Sequence, residues 1–176
     1  RSAGITDVSI RRVSGDLTDH YDPSKKVVNL SDSVYGSTSV SAVGVAAHEC
    51  GHVIQHARGY VPITIRTALV PIVNFTSRLS MPLILIGLIL GYVGLAKIGV
   101  VLFCGVLIFQ LVTLPVEFDA SARAMRVLDS LGILYGEEIK GARKVLTAAA
   151  LTYVAAVVST ALQVFRLVLL INNRRD

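Results

Sequence analysis

The chain has 176 residues, of which 53% are hydrophobic, and a mean hydropathy of +0.64, which excludes an ordinary soluble domain. Its net charge of +5 does not indicate a nucleic-acid-binding protein, because residues 1–60 carry six basic and six acidic side chains and residues 115–144 carry five of each. The surplus lies around the apolar blocks, as expected of residues that anchor a protein at the membrane interface. We therefore predict a membrane protein that contacts lipids and binds no nucleic acid.

The N-terminal part, residues 1–60, is predicted to lie outside the membrane. "ITDVSIRRV" and "KVVNLS" alternate as strands do, and "SGDLTDHYDPSKK" between them has the composition of a turn, which predicts a small two-stranded β-ribbon. Serine and threonine side chains at positions 37–41 can cap a helix that continues to about Arg58.

The apolar blocks predict several membrane spans in a single 176-residue domain. Residues 61–80 contain Pro62 and Pro71 and favour a broken amphipathic helix on the membrane surface. Residues 81–114 are too long for one span and predict a hairpin that breaks near "GLAKIG", with helices over 81–95 and 98–114. Pro115 is expected to begin a soluble helical segment, 115–144, before a further span at 145–171. The predicted fold class is mainly α, a membrane helical bundle with an interfacial motif helix and a small β-ribbon.

The stretch "AAHECGHVIQHA" carries the chemistry. On a helix, His48 and His52 project from one face and can bind one zinc ion, and Glu49 can act as general base towards a zinc-activated water. His56 lies about 12 Å from His48 along the helix axis, too far to bind the same ion. The metzincin pattern is also excluded, because position 58 is Arg58 instead of histidine.

The third ligand must therefore come from another segment, and Glu117 in "PVEFDAS" is the candidate. Catalytic zinc commonly takes two histidines and one glutamate, with water in the fourth position. A glutamate near a helix N-terminus is also a common electrostatic partner of the helix dipole. From the local sequence alone, both interpretations stay open.

The stretches "VAAHECGHVIQH", "TLPVEFDASARA" and "AAALTYVAA", preceded by "LTDHYDP", resemble the YugP-type neutral zinc metallopeptidases of bacterial membranes and, more distantly, the HtpX-type gluzincins. The resemblance covers nearly the whole chain. It implies one catalytic zinc ion and assigns the third-ligand role to Glu117.

The resemblance also implies supporting residues. Ser121 stands where the gluzincin pattern has aspartate, so a hydrogen bond to a zinc histidine must come from Ser121, from Asp119 or from a backbone carbonyl. His20 and Tyr21 occupy a region that lines the cleft in gluzincins and can donate a hydrogen bond to an oxyanion; a simple turn packed by its own aromatic residue is the alternative. An additional membrane helix is expected upstream of Arg1.

Together these features predict a multi-pass endopeptidase of the bacterial inner membrane that cleaves peptides or membrane proteins near the membrane surface. One alternative is a membrane scaffold with a structural zinc site, closed by His20 or Cys50 as fourth ligand. Another is an intramembrane protease, which the polar residues of the motif helix disfavour.

Partner proteins and a homo-oligomer stay open. The bias of lysine and arginine predicts a cytoplasmic catalytic face, although the tail with Arg174 and Arg175 counts against it.

Overall fold

A computed structural model describes residues 1–173, and the tail with Arg174 and Arg175 lies outside the described residues. Within that range the chain forms three strands and four helices: β1 (Ser9–Arg12), β2 (His20–Asp22), β3 (Val27–Leu30), α1 (Val40–Ala57), α2 (Val61–Ile89), α3 (Val93–Ser130) and α4 (Gly136–Asn172). The mainly helical fold with a small sheet near the N-terminus confirms the predicted class.

The chain divides into two compact units. Unit 1 comprises Arg1–Thr64 and Pro115–Leu151, and unit 2 comprises Ile65–Leu114 and the chain from Thr152 onward. The long helices α3 and α4 contribute to both units. The assignment of 1–60, 61–80, 81–114, 115–144 and 145–171 to water, interface or membrane stays a prediction.

The sheet of unit 1 has three strands in the order β1-β3-β2, not the two predicted. β1 runs parallel to β3 and β2 runs antiparallel to it. The additional strand β2 lies in the stretch that the sequence predicts to be a turn, because its three residues stand among turn-forming residues. The turn itself is shorter: the Asp22 carboxylate accepts hydrogen bonds from the backbone N–H groups of Ser24 and Lys25, at 2.9 and 3.1 Å.

α1 begins and ends where the sequence predicts. The Ser39 hydroxyl caps it by accepting a hydrogen bond from the Ala42 N–H, and Arg58 follows its last residue. One side of α1 packs Val53 against Val28 and Leu30 of β3. Burial of each such side chain contributes about 1.5–3 kcal/mol, so the sheet holds the motif helix firmly.

The other side of α1 packs on α3 and α4. Val40, Val43 and Ala47 contact a buried cluster formed by Leu128, Leu134 and Ala142. Further along α1, Gly51 lies directly against the backbone of Ala120. A β-carbon on Gly51 would lie 2.4 Å from the Ala120 carbonyl oxygen. Only glycine permits this approach, which brings the motif helix next to the Glu117 segment.

The helix boundaries in 81–114 differ from the predicted ones. α2 ends at Ile89 and Gly91, with φ of +73°, forms the turn, whereas the predicted break near 94–99 lies inside α3. Gly99 serves close packing instead, because a β-carbon there would lie 2.8 Å from the Ser80 carbonyl oxygen. Small residues commonly permit such contacts between membrane helices.

The prolines do not break helices as predicted. Pro71 and Pro82 lie inside α2, and Pro115 lies inside α3 instead of beginning a new helix. Pro62 lies in the first turn of α2, where no intrahelical hydrogen bond is lost. At Pro115 the helix continues because Val116 and Ala120, just beyond it, are fully buried and their packing outweighs one missing hydrogen bond.

Unit 2 has its own small core, formed by Ile84, Ala96, Val100, Leu167 and Ile171. In residues 1–173, α2, α3 and α4 are the three helices that are long and apolar enough to cross a membrane. Most of their apolar surface is not buried within the protein, as expected of helices surrounded by lipid. The chain is therefore a membrane protein.

The Gly51 contact generates the first prediction. Gly51→Ala should lower the free energy of unfolding by about 1–3 kcal/mol, because the added methyl group collides with rigid backbone. Gly44→Ala is the matched control: its β-carbon would meet Ala142 at an ordinary 3.7 Å, so the helix propensity of alanine should leave stability unchanged or raise it by up to about 1 kcal/mol. Thermal unfolding in detergent measures both, and equal effects would disprove the close contact.

Candidate metal centre

Three side chains from two helices converge in unit 1. His48 and His52 of α1 and Glu117 of α3 each offer a ligand atom, and these atoms lie within 4.8 Å of one another. Oε2 of Glu117 is 3.2 Å from Nε2 of His48 and 3.7 Å from Nε2 of His52. The local sequence predicted that the two histidines share one face of a helix but left the role of Glu117 open. The structure brings Glu117 next to both histidines.

The distances from the Glu117 oxygen to the two histidine nitrogens fit a tetrahedral zinc ion. With zinc–ligand bonds of about 2.0–2.2 Å, tetrahedral geometry separates ligand atoms by roughly 3.4 Å. The observed 3.2 and 3.7 Å bracket that value. The donor set of two imidazoles and one carboxylate is also that of catalytic zinc sites, so the residues present can hold the ion.

Gln55, one turn after His52, fixes the orientation of that histidine. Its amide is fully buried, and its Nε2 donates hydrogen bonds to the Val116 carbonyl oxygen at 2.8 Å and to Oδ2 of Asp119 at 2.9 Å. The amide oxygen Oε1 therefore faces Nδ1 of His52, 2.9 Å away, and accepts a hydrogen bond from the Nδ1–H group. Nε2 of His52 is left with a lone pair directed at the metal group.

Ser121 contacts Nδ1 of His48 as Gln55 contacts Nδ1 of His52. Its Oγ lies 3.1 Å from Nδ1 of His48, on the side of the ring opposite Nε2. Asp119 contributes indirectly, because Arg123 donates a hydrogen bond to it at 2.5 Å and it accepts another from Gln55. Both histidine rings are thus oriented by hydrogen bonds, that of His48 with Ser121 of α3 and that of His52 with Gln55 of α1, as metal-binding histidines usually require.

The electrostatics of the group favour a cation. Burial lowers the pKa of His52, but the hydrogen bond and negative charge of Glu117 outweigh it, so the pKa is raised. Burial raises the pKa of Glu49, and the two neighbouring histidines oppose that shift only in part. A carboxyl group whose pKa moves towards neutrality suits a general base.

Comparison with known proteins agrees with this geometry. A protein family described as "Putative neutral zinc metallopeptidase" matches residues 1–172. The chain belongs to this metallopeptidase family. It is also 46% identical over 173 residues to the "Putative membrane protease YugP" of Bacillus subtilis (strain 168), which covers 98% of this chain and 77% of the relative. No solved structure matches.

The remaining candidate residues, His20 and Tyr21, are not members of the ligand group and have other contacts. The ring nitrogens of His20 contact the Thr18 carbonyl oxygen at 2.8 Å and the Asn29 amide at 3.1 Å. The Tyr21 ring meets the His56 ring edge to face, with centroids 5.5 Å apart. His56 therefore packs against β2, and a role of His20 or Tyr21 towards an oxyanion stays a prediction.

Gly51 and Gln55 are the two site residues whose roles the sequence did not reveal. Glycine inside the motif indicated only that the metzincin pattern was absent, and a glutamine on a helix carries no distinguishing pattern. The one available indication was that Gln55 stands three residues after His52, on the same helical face. The hydrogen bond between Gln55 and His52 depends on Val116 and Asp119 of α3, which hold the Gln55 amide in place.

Zinc affinity should distinguish the proposed ligand Glu117 from the supporting residue Gln55 and from His56, which is not a ligand. Glu117→Ala should weaken zinc binding by more than about 100-fold, and Gln55→Leu by about 10–100-fold, because the first removes a ligand and the second frees the His52 ring. His56→Ala should change it by less than about threefold, since that ring contacts Tyr21. Competition with a chromophoric chelator measures all three. A loss in His56→Ala comparable to that in Glu117→Ala would contradict the assignment.

Proposed function

We propose that the chain is a zinc-dependent endopeptidase that hydrolyses peptide bonds near the membrane surface. The observation that carries this proposal is the convergence of His48, His52 and Glu117, with Glu49 next to the first ligand. Only three histidine, cysteine or acidic side chains form the group within the described range. A set of three protein ligands leaves a coordination position for water, which is typical of catalytic zinc sites.

The alternative of a scaffold with a structural zinc site needs a fourth protein ligand. The two residues that could close such a site are engaged elsewhere: His20 contacts Thr18 and Asn29, and Cys50 lines an apolar pocket with Val53 and Leu128. Burial also raises the pKa of the Cys50 thiol, which disfavours the thiolate that zinc binds. These observations favour the enzyme.

The proposed mechanism assigns one task to each side chain. A zinc ion held by the three ligands supplies a lowered pKa for the attacking water and a positive charge for the developing oxyanion. Glu49 accepts the proton of that water and then donates it to the leaving amine, a sequence that its raised pKa favours. Gln55 and Ser121 keep the histidine rings aligned during the reaction.

Action near the membrane surface is supported by the position of Glu117. This ligand lies in α3 within one helical turn of residue 114, the last of the predicted membrane hairpin. The motif helix α1 is not among the three apolar helices of residues 1–173, which disfavours an intramembrane protease. The substrate would then be a peptide or a membrane protein whose cleaved segment lies next to the lipid. Association with another membrane protein or with a second copy stays open.

We further propose a multi-pass protein of the bacterial inner membrane with a cytoplasmic catalytic face. With three spans, residues 1–60 and 115–144 lie on one side, and they carry six and five basic side chains. The opposite side has Lys97 and the basic tail. Lysine and arginine near span ends favour the cytoplasm.

Replacing the base tests the mechanism. Glu49→Gln should abolish peptide hydrolysis while zinc binding stays within about threefold of the wild type, because an amide cannot accept the proton and the three ligands are untouched. Casein degradation by the detergent-solubilised protein, with zinc content measured in parallel, reports both quantities. Undiminished turnover in Glu49→Gln would remove this residue from the mechanism.

Orientation is tested in cells that carry single cysteines, after replacement of Cys50 and Cys104. Lys25→Cys in unit 1 should be protected from an impermeant thiol reagent in intact cells, and Lys97→Cys should react. The opposite pattern would place the catalytic face outside the cell. Labelling after lysis, when both positions should react, controls for burial.

A further inference from the structure

An open groove in unit 1 lies between the second half of α3 and the first half of α4. Its volume is about 480 Å³, within the range of small-ligand sites. The apolar side chains that line it are Phe118, Ala122, Met125, Ile139, Leu146 and Ala150. Three charged side chains line it as well: Arg126, Asp129 and Arg143.

The charged side chains of the groove are gathered at one of its ends. α3 and α4 form a helical hairpin around the turn that follows Ser130. Arg126 and Arg143 lie towards that turn, whereas Phe118 and Ala150 lie towards the other end of the groove. The groove is therefore amphipathic along its length.

The apolar end of the groove coincides with the predicted membrane boundary. Phe118 lies four residues after residue 114, the last of the predicted membrane hairpin. Leu146 and Ala150 lie inside the predicted span 145–171, and Arg143 stands two residues before it. Both helices are long and apolar enough to cross a membrane. At this boundary, acyl chains reach the apolar end and Arg143 lies at the depth of the lipid phosphates.

The two arginines of the groove have no carboxylate partner within 4.0 Å in the part of the chain that the structure describes. Arg126 donates to the Ala122 carbonyl oxygen of its own helix, at 3.2 Å. Asp129 offsets one of the two guanidinium charges. One net positive charge is left for an anionic ligand.

The lining of the groove argues against a peptide held at the metal group. None of the ligands His48, His52 and Glu117 lines the groove. Ser121 does line it, but its hydroxyl contacts Nδ1 of His48, on the side of the ring opposite Nε2. The groove is thus separate from the ligand atoms and adjoins the predicted spans.

We propose that this groove binds an anionic phospholipid of the phosphatidylglycerol type. Arg126 and Arg143 bind its phosphate, because guanidinium groups match phosphate oxygens in a bidentate geometry. One acyl chain lies against Phe118, Leu146 and Ala150. Basic pockets between membrane helices bind anionic headgroups in this way. An ethanolamine or choline headgroup is disfavoured, since it brings a second cation next to the two guanidinium groups. The site does not depend on the proposed peptidase function.

Introduced tryptophans provide the test, because the chain has no tryptophan of its own. Phe118→Trp and, separately, Thr147→Trp place one reporter on each wall of the groove. Ile108→Trp is the control, on the exposed surface of α3, where the nearest basic residue along the helix is Lys97. Each full-length protein is reconstituted in phosphatidylcholine vesicles with a rising fraction of dibrominated lipid, whose bromine atoms quench a tryptophan that they touch.

The two groove reporters should reveal a preference for the anionic lipid. Dibrominated phosphatidylglycerol should bind about fivefold to tenfold more tightly than dibrominated phosphatidylcholine at Phe118→Trp and at Thr147→Trp, because one arginine near an anionic headgroup contributes about fivefold. At Ile108→Trp the two lipids should differ by less than about twofold.

Charge variants in the Phe118→Trp protein assign the preference to the groove. Arg126→Gln and Arg143→Gln should each reduce it to about twofold or less. Asp129→Asn should instead raise it about twofold to fivefold, a gain that loss of folding cannot produce. Lys144→Gln removes the same charge from an exposed neighbour that does not line the groove and should retain the preference. Circular dichroism confirms the helix content of each variant.

Four results would overturn the lipid site. Equal quenching by the two lipids at both groove reporters is the first. A preference of the same size at Ile108→Trp is the second, and an equal loss in Lys144→Gln is the third, since both would indicate general electrostatics. The fourth is quenching at Phe118→Trp that does not distinguish the lipids but is relieved by added casein peptides, which would assign the groove to peptide.

Discussion

The contact between Gly51 and the backbone of Ala120 determines where the metal group can form. Glu117 lies 65 and 69 residues after the two histidines in the sequence, yet one ligand atom of each of the three side chains must come within 4.8 Å of the others. Helices with ordinary side chains at the crossing pack with axes about 8–10 Å apart. Glycine removes the intervening atoms, so the backbones of α1 and α3 touch between the two histidines on one helix and Glu117 and Ser121 on the other.

Close approach of two helices also buries polar groups, and the hydrogen bonds around the site satisfy them. A buried amide without partners costs about 1–3 kcal/mol for each group left unpaired. Gln55 avoids that cost because its three polar positions meet His52, Val116 and Asp119. The same bonds select the histidine tautomer, so one side chain contributes to both stability and chemistry. Arg123 extends this arrangement to the Tyr60 ring, 5.5 Å away, at the start of the segment that leads into α2.

Local chemistry made part of this arrangement predictable. The spacing of His48, Glu49 and His52 on a capped helix predicts two ligands and a base from geometry that is internal to one element. Glu117 needed a family resemblance, because a carboxylate near an apolar helix end has two ordinary explanations. Gln55 and Gly51 depend on atoms of another helix, which no local pattern contains. The predicted helix breaks at the prolines were wrong for the same reason. Helix propensity describes an isolated helix, whereas Pro115 lies beside residues whose burial keeps α3 continuous.

The distance between the motif and Glu117 along the chain has a consequence for biosynthesis. Chains emerge from the ribosome N-terminus first, so the motif helix and α2 are complete well before Glu117 is made. During that interval two of the three ligands exist without the third, and Gln55 has neither of its partners on α3. In the proposed protease, a site with two of its three ligands would hold zinc weakly, so the nascent protein would lack its catalytic metal while it inserts. Under that proposal, metal loading would wait until α3 has been synthesised and has docked on α1.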